Sequence, residues 1–202
     1  MNIEPILYAL SGFFMKLSDD AYDRKKNISI AIFAGMLCGV FVGYLAVTSA
    51  DAACIFIAIV VGTLLSLKVD SLNHVAALVL FILIVVYIGI PSIGIVTLII
   101  CSIAAFIDEV GNDNLWVKNR GKVTELFFEY RFSLKITVLL FAVLGLLQTL
   151  FPFLKIPGIQ YFLFQTFLYF ILFDLFYEIA GLKFDVIYNG LNSFFRVFRR
   201  ID

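Results

Sequence analysis

Within the stretch KLSDDAYDRKKN, Asp19, Asp20 and Asp23 are followed at once by Arg24, Lys25 and Lys26. If a helix continues through it, Asp20 and Asp23 stand three apart and share a face. A second carboxylate group, Asp108, Glu109 and Asp113, places Glu109 and Asp113 four apart, again on one face. Hard oxygen ligands of this kind suit Mg²⁺, which takes one or two carboxylates and leaves its other positions to water and substrate phosphates. The expected metal ligands are therefore Asp19, Asp20, Asp23, Asp108, Glu109 and Asp113. Arg24, Lys68 and Lys122 are the candidate cations for phosphate oxygens. Metal and cations together would stabilise charge on a departing diphosphate, the electrostatic help an ionising allylic substrate needs. The alternative is that both groups are solvated helix ends, which are commonly charged in membrane proteins.

The elements that must position these groups are apolar. Of 202 residues, 62% are hydrophobic, well above the half or so usual in soluble domains, and the mean hydropathy is +1.04. An integral membrane protein is expected. The first ten residues carry Glu4 and no cation, unlike a secretory n-region, so a retained N-terminus is expected. A bilayer core about 30 Å thick takes roughly 20 apolar residues per helix. Six runs qualify: Ile28 to Thr48, Ala52 to Leu67, Val75 to Gly89, Ser92 to Ile107, Phe132 to Phe151 and Ile159 to Ile179; a seventh, Pro5 to Leu17, is short for a full span and reads either as a span or as a half-buried helix. Pro91 and Pro152 fall between runs, where a fixed φ suits a turn. From Gly181 on, Phe184, Ile187, Leu191, Phe194, Phe195 and Phe198 recur at helical spacing, as in an amphipathic interfacial helix. The expected fold is an all-α, polytopic transmembrane bundle of about seven spans over residues 1–182, with an amphipathic C-terminal helix over 183–202.

With seven spans, fourteen of the fifteen basic residues fall on one side, Lys118, Lys135, Arg196, Arg199 and Arg200 among them, and only Lys155 on the other. By the positive-inside rule that side is cytoplasmic and the N-terminus lies outside the cell membrane. Both carboxylate groups fall on the cytoplasmic side with four spans separating them. Net charge is zero, so no nucleic-acid partner is expected.

Read in order, the chain resembles the UbiA-type intramembrane prenyltransferase superfamily. DDAYDR resembles the first Asp-rich motif, with Asp19 in the place of its Asn and Asp20, Asp23 and Arg24 matching. LKVDSLN resembles the Lys-containing loop through Lys68 and Asn73, and IDEVGND the second Asp-rich motif through Glu109 and Asp113. RGKVTELFFEYRFSLKI is similar to the stretch that follows, with Gly121 and Thr124 in matching places. The chain departs in having about seven spans where members usually have nine. The segment after the second motif, NLWVKNRG, is also longer than usual and holds the sole Trp, Trp116. The resemblance implies Mg²⁺ and catalysis by Asp20, Asp23, Glu109 and Asp113. Arg24, Lys68, Asn73 and Lys122 would bind the diphosphate of a polyprenyl donor, whose prenyl group passes to a lipid or aromatic acceptor.

Other residues allow a different class of function. Asp174 and Glu178 lie four apart in the last run; carboxylates in a span face a cavity or partner, and they would serve a non-enzymatic small transporter or channel. His74 reads as an interfacial residue. Gly35, Gly39 and Gly43 form a small-xxx-small pattern for helix packing or a homodimer contact. Cys38, Cys54 and Cys101 lack metal-ligand spacing and read as small apolar-run residues.

Overall fold

The computed structural model describes residues 3–114, 117, 119–151, 153 and 155–199, the side chains of 194–199 excepted. Trp116, Lys118, Pro152 and Arg200 lie outside the described residues, as do the side chains of Phe194, Phe195, Arg196, Phe198 and Arg199. The described residues form helices and no strand: α1 (Glu4–Asp23), α2 (Ile28–Thr48), α3 (Ala50–Leu65), α4 (Leu72–Ile88), α5 (Ile95–Asp113), α6 (Lys122–Glu129), α7 (Phe132–Leu150), α8 (Phe164–Leu182) and α9 (Phe184–Arg199). Four of them, α2, α5, α7 and α8, are long and apolar enough to cross a membrane. At 16 and 17 residues, α3 and α4 are apolar but shorter. The 20 residues of α1 reach about 30 Å, but its last two turns carry Lys16, Asp19, Asp20 and Asp23.

Contacts divide the chain into two compact units: Met1–Tyr44 with Asp70–Tyr87 and Ile171–Asp202, and Leu45–Val69 with Ile88–Phe170. In the first, the turn after α1 is made by Lys26 in the left-handed region (φ 51°) and by Asn27, whose Oδ1 accepts from Ile30 N at 3.2 Å as the cap of α2. The glycine pattern of α2 is used inside this unit. A Cβ on Gly39 would come within 2.5 Å of the Ala77 carbonyl oxygen, and one on Gly35 within 2.8 Å of that of Asn73. The α2 backbone therefore lies directly on α4, the close approach that small residues permit. A core of Leu17, Ala21, Ile30, Ala31 and Ala34 is closed by Phe184 and Tyr188 of α9, with Ile187 and Leu191 packed beside them. The apolar stripe of the C-terminal helix thus packs, over these four residues, on protein.

In the second unit α3 lies against α5, where Gly62 lets the helices meet at Ala105 and Phe106. Residues 159–163, read from composition as the start of the last span, are not helical; α8 begins at Phe164. The reason is polar. Asp51, buried in the first turn of α3, accepts from Gln160 Nε2 at 2.8 Å, Leu163 N at 2.8 Å and Thr166 Oγ1 at 2.9 Å. Thr97 and Gln160 exchange two bonds of 2.9 Å through the Thr97 hydroxyl, and Val96 N donates to the Gly158 carbonyl. These partners satisfy an extended backbone among apolar helices, where unsatisfied groups would be costly. The helix α5 runs past the end of the apolar run at Ile107 to Asp113, so Glu109 and Asp113 stand on one helical face, as their spacing predicts. All three cysteines are buried and free.

Candidate functional site

The first carboxylate group belongs to the first unit. Because α1 is helical through Asp23, Lys16, Asp20 and Arg24 stack at successive turns. Asp20 is buried and lies 3.3 Å from both Lys16 Nζ and Arg24 Nη1. Arg24 divides its fork, its Nη2 reaching Asp185 on α9 at 3.2 Å. Asp19 points elsewhere: its Oδ1 lies 2.9 Å from His74 Nε2, and its Oδ2 accepts from Tyr177 at 3.5 Å. Asp23 is exposed. Asn73, expected at a phosphate, is only 1% exposed. Its amide donates to Ser18 Oγ at 2.9 Å, and Ser18 donates on to the Ala31 carbonyl, a clip joining α4, α1 and α2.

The second group belongs to the second unit and has a similar plan. Glu109 is buried, with Lys68 Nζ at 2.8 Å and Arg131 Nε at 3.1 Å. Lys68 also bridges to Asp113 at 3.0 Å, one turn further on the same face. Both cations come from strained backbone. Arg131 itself is left-handed (φ 49°), and Lys68 follows Leu67, which is left-handed too (φ 58°). Such conformations cost of order 1 kcal/mol for a non-glycine residue and persist where surrounding contacts fix them. Asp108 does something different. Its Oδ1 accepts from Ser133 N at 2.9 Å and its Oδ2 from Leu134 N at 2.8 Å, so it caps the start of α7 from another helix. Beside this group, Gly111, Asn112, Val117, Glu125, Phe128 and Glu129 line a cleft of about 190 Å³. Lys122, in the first turn of α6, is exposed.

Among the described residues, no three His, Cys, Asp or Glu side chains converge as a metal-ligand set. Mg²⁺ asks less, since it keeps several waters and uses one or two carboxylates. Asp20 with Asp23, and Glu109 with Asp113, supply that number of carboxylates, and the oxygens of Asp20 and Glu109 are held by side-chain cations that an ion can replace, not by backbone. Asp108, with both oxygens on backbone N–H groups, and Asp19, turned to His74, fit it poorly. Lys16, Arg131, Ser18 and Tyr177 were not expected at either group. Lys16 alone carried a sequence signal, its four-residue spacing from Asp20.

Comparison with protein-family models, with curated proteins and with solved structures finds no match for this chain.

Proposed function

We propose that this chain is a membrane-embedded, prenyltransferase-like protein that binds a polyprenyl diphosphate with Mg²⁺ and transfers the prenyl group to a lipid or aromatic acceptor. One observation carries the reading. In each unit a buried carboxylate is held by two cations, Asp20 by Lys16 and Arg24, Glu109 by Lys68 and Arg131, with a second, exposed carboxylate three or four residues on, Asp23 and Asp113. Each group therefore offers both halves of what a metal-bound phosphate needs: carboxylate oxygens for a metal ion and forked or point-charge donors for phosphate oxygens. The order of these residues along the chain is also that of the UbiA-type motifs, of which the chain would be a divergent, shortened member.

Mg²⁺, when bound, would supply Lewis-acid stabilisation of the diphosphate as a leaving group. Within the first unit Asp20 and Asp23 would offer it carboxylates, and within the second Glu109 and Asp113 would do the same. Arg24, Lys68 and Arg131 would turn from their carboxylates to phosphate oxygens, exchanging one anionic partner for another. Asp108 and Asn73 support this by fixing the helices that carry the groups. The proposal includes seven spans, α1, α3 and α4 counted with the four longer helices, the N-terminus outside and the carboxylate groups on the cytoplasmic face.

Equilibrium binding of a radiolabelled, non-hydrolysable polyprenyl diphosphate analogue in nanodiscs tests it. Saturable, Mg²⁺-dependent binding that Asp113→Asn weakens at least ten-fold is expected. No binding by the folded wild type, together with cation flux in liposomes that Asp174→Asn or Glu178→Gln blocks, would replace the proposal with the transporter reading.

A further inference from the structure

The turn that follows the first carboxylate group is covered by the C-terminal helix. Asp185, in the first turn of α9, lies 2.8 Å from Lys25 Nζ and 3.2 Å from Arg24 Nη2. The Arg24 guanidinium stacks over the Phe184 ring at 4.7 Å, and the Lys25 ammonium lies 5.6 Å from the Tyr188 ring centre. Asn27, whose Oδ1 caps α2, donates from Nδ2 to the Tyr188 hydroxyl at 2.9 Å. Every polar residue of the turn but Lys26 is thus engaged by one face of α9. Phe184 and Tyr188, both buried, fix that face in place.

The chemistry of this contact is that of an anion seat. A guanidinium and an ammonium converge on one carboxylate, and the same pair would take a phosphate with the same donors. The Arg24 fork joins two carboxylates, Asp20 on one side and Asp185 on the other, so any anion approaching Arg24 meets Asp185 already in place. The Lys25 hydrogen bond, with the Arg24 charge adding to it, holds the Asp185 carboxyl below the usual carboxylate range.

We infer that Asp185 is a built-in stand-in for a phosphate group, and that α9 is a latch which a diphosphate-bearing ligand must displace from Arg24 and Lys25. The ligand class rests on the function proposed above; the occupancy of the seat by Asp185 does not. The Asp185 ion pairs are exposed, so each is weak and screened by salt. A ligand carrying more than one negative charge therefore outcompetes the single carboxylate. Displacement frees Asp185 and loosens the first turn of α9, while the buried Phe184 and Tyr188, with Leu191, keep the helix on the core.

Inorganic pyrophosphate with Mg²⁺ serves as the probe, read by hydrogen exchange over residues 184–193 and by binding affinity. In the wild type, pyrophosphate should accelerate exchange at the start of α9. Asp185→Asn should show the faster exchange without it and bind pyrophosphate about three-fold more tightly, the effect expected from losing an exposed charge pair. Asp185→Glu should restore wild-type behaviour. Pyrophosphate binding that requires Asp20 but is equal in wild type and Asp185→Asn would overturn the latch and leave the diphosphate function standing. Binding by neither protein would overturn both. Sodium chloride at matched ionic strength that speeds exchange as much as pyrophosphate would reduce the latch to salt screening and overturn it as well.

Discussion

Lys68 and Glu109 meet at 2.8 Å, one following a left-handed residue after α3 and the other buried on α5. Removing one partner of a buried ion pair leaves the other charge without compensation. Because Lys68 is partly exposed, the cost is discounted from the fully buried case, and Glu109→Gln is expected to destabilise the protein by about 2 kcal/mol. A double-mutant cycle with Lys68→Met should return a coupling of about 1 kcal/mol or more in denaturant unfolding. Additive single effects would mean that the contact does not hold α3 to α5.

Asp108 is expected to act through α7, not through a metal. Asp108→Ala strips the cap from Ser133 N and Leu134 N and should cost about 1–2 kcal/mol. Any Mg²⁺-dependent stabilisation, measured relative to the variant's own baseline, should survive. Its loss would place Asp108 among the metal ligands after all.

Asp51 is the larger stability determinant of the second unit. It accepts three hydrogen bonds from residues 160–166. Asp51→Asn turns one acceptor oxygen into a donor facing other donors, and about 2–3 kcal/mol should be lost. Hydrogen exchange over 158–166 should rise with it, while exchange over 28–40 in the first unit stays the same.

The docking of α9 should depend on acid. With the folded carboxyl of Asp185 held low by Lys25 and then Arg24, its contribution is present above the unfolded value near 3.8 and is lost as pH falls through the folded value. Protection of residues 184–193 from exchange should therefore decline below about pH 4. In Asp185→Asn that decline should be absent, and high salt should imitate it in the wild type.

How much of this was legible in the sequence follows from how local each feature is. The helical register of Asp20 with Asp23, and of Glu109 with Asp113, depends on spacing within one element, and so does the glycine pattern that seats α2 on α4. Those could be read directly. The role of Asp108 could not, because its partners begin a helix 25 residues later. Nor could that of Asp51, whose nearest partner by sequence, Gln160, lies 109 residues away. The same contacts explain why IQYFL, apolar enough to extend a span, stays extended: its backbone is held by Asp51, Thr97 and Phe141, and no local propensity encodes that. The apolar stripe of α9 was legible, whereas the surface that takes it up was not, since a lipid interface and the α1–α2 core ask for the same pattern.

The central claim is that Asp20 helps hold a metal-bound diphosphate, and the most direct measurement is thermal unfolding in detergent with a non-hydrolysable polyprenyl diphosphate analogue, with and without Mg²⁺, on wild type and Asp20→Asn. A ligand that binds the folded state raises the midpoint with its concentration relative to Kd. The wild type should gain a rising midpoint only when analogue and Mg²⁺ are both present, and Asp20→Asn, compared with its own baseline, should gain none. An equal rise in both proteins, or no rise in the wild type at saturating analogue and Mg²⁺, would contradict the account.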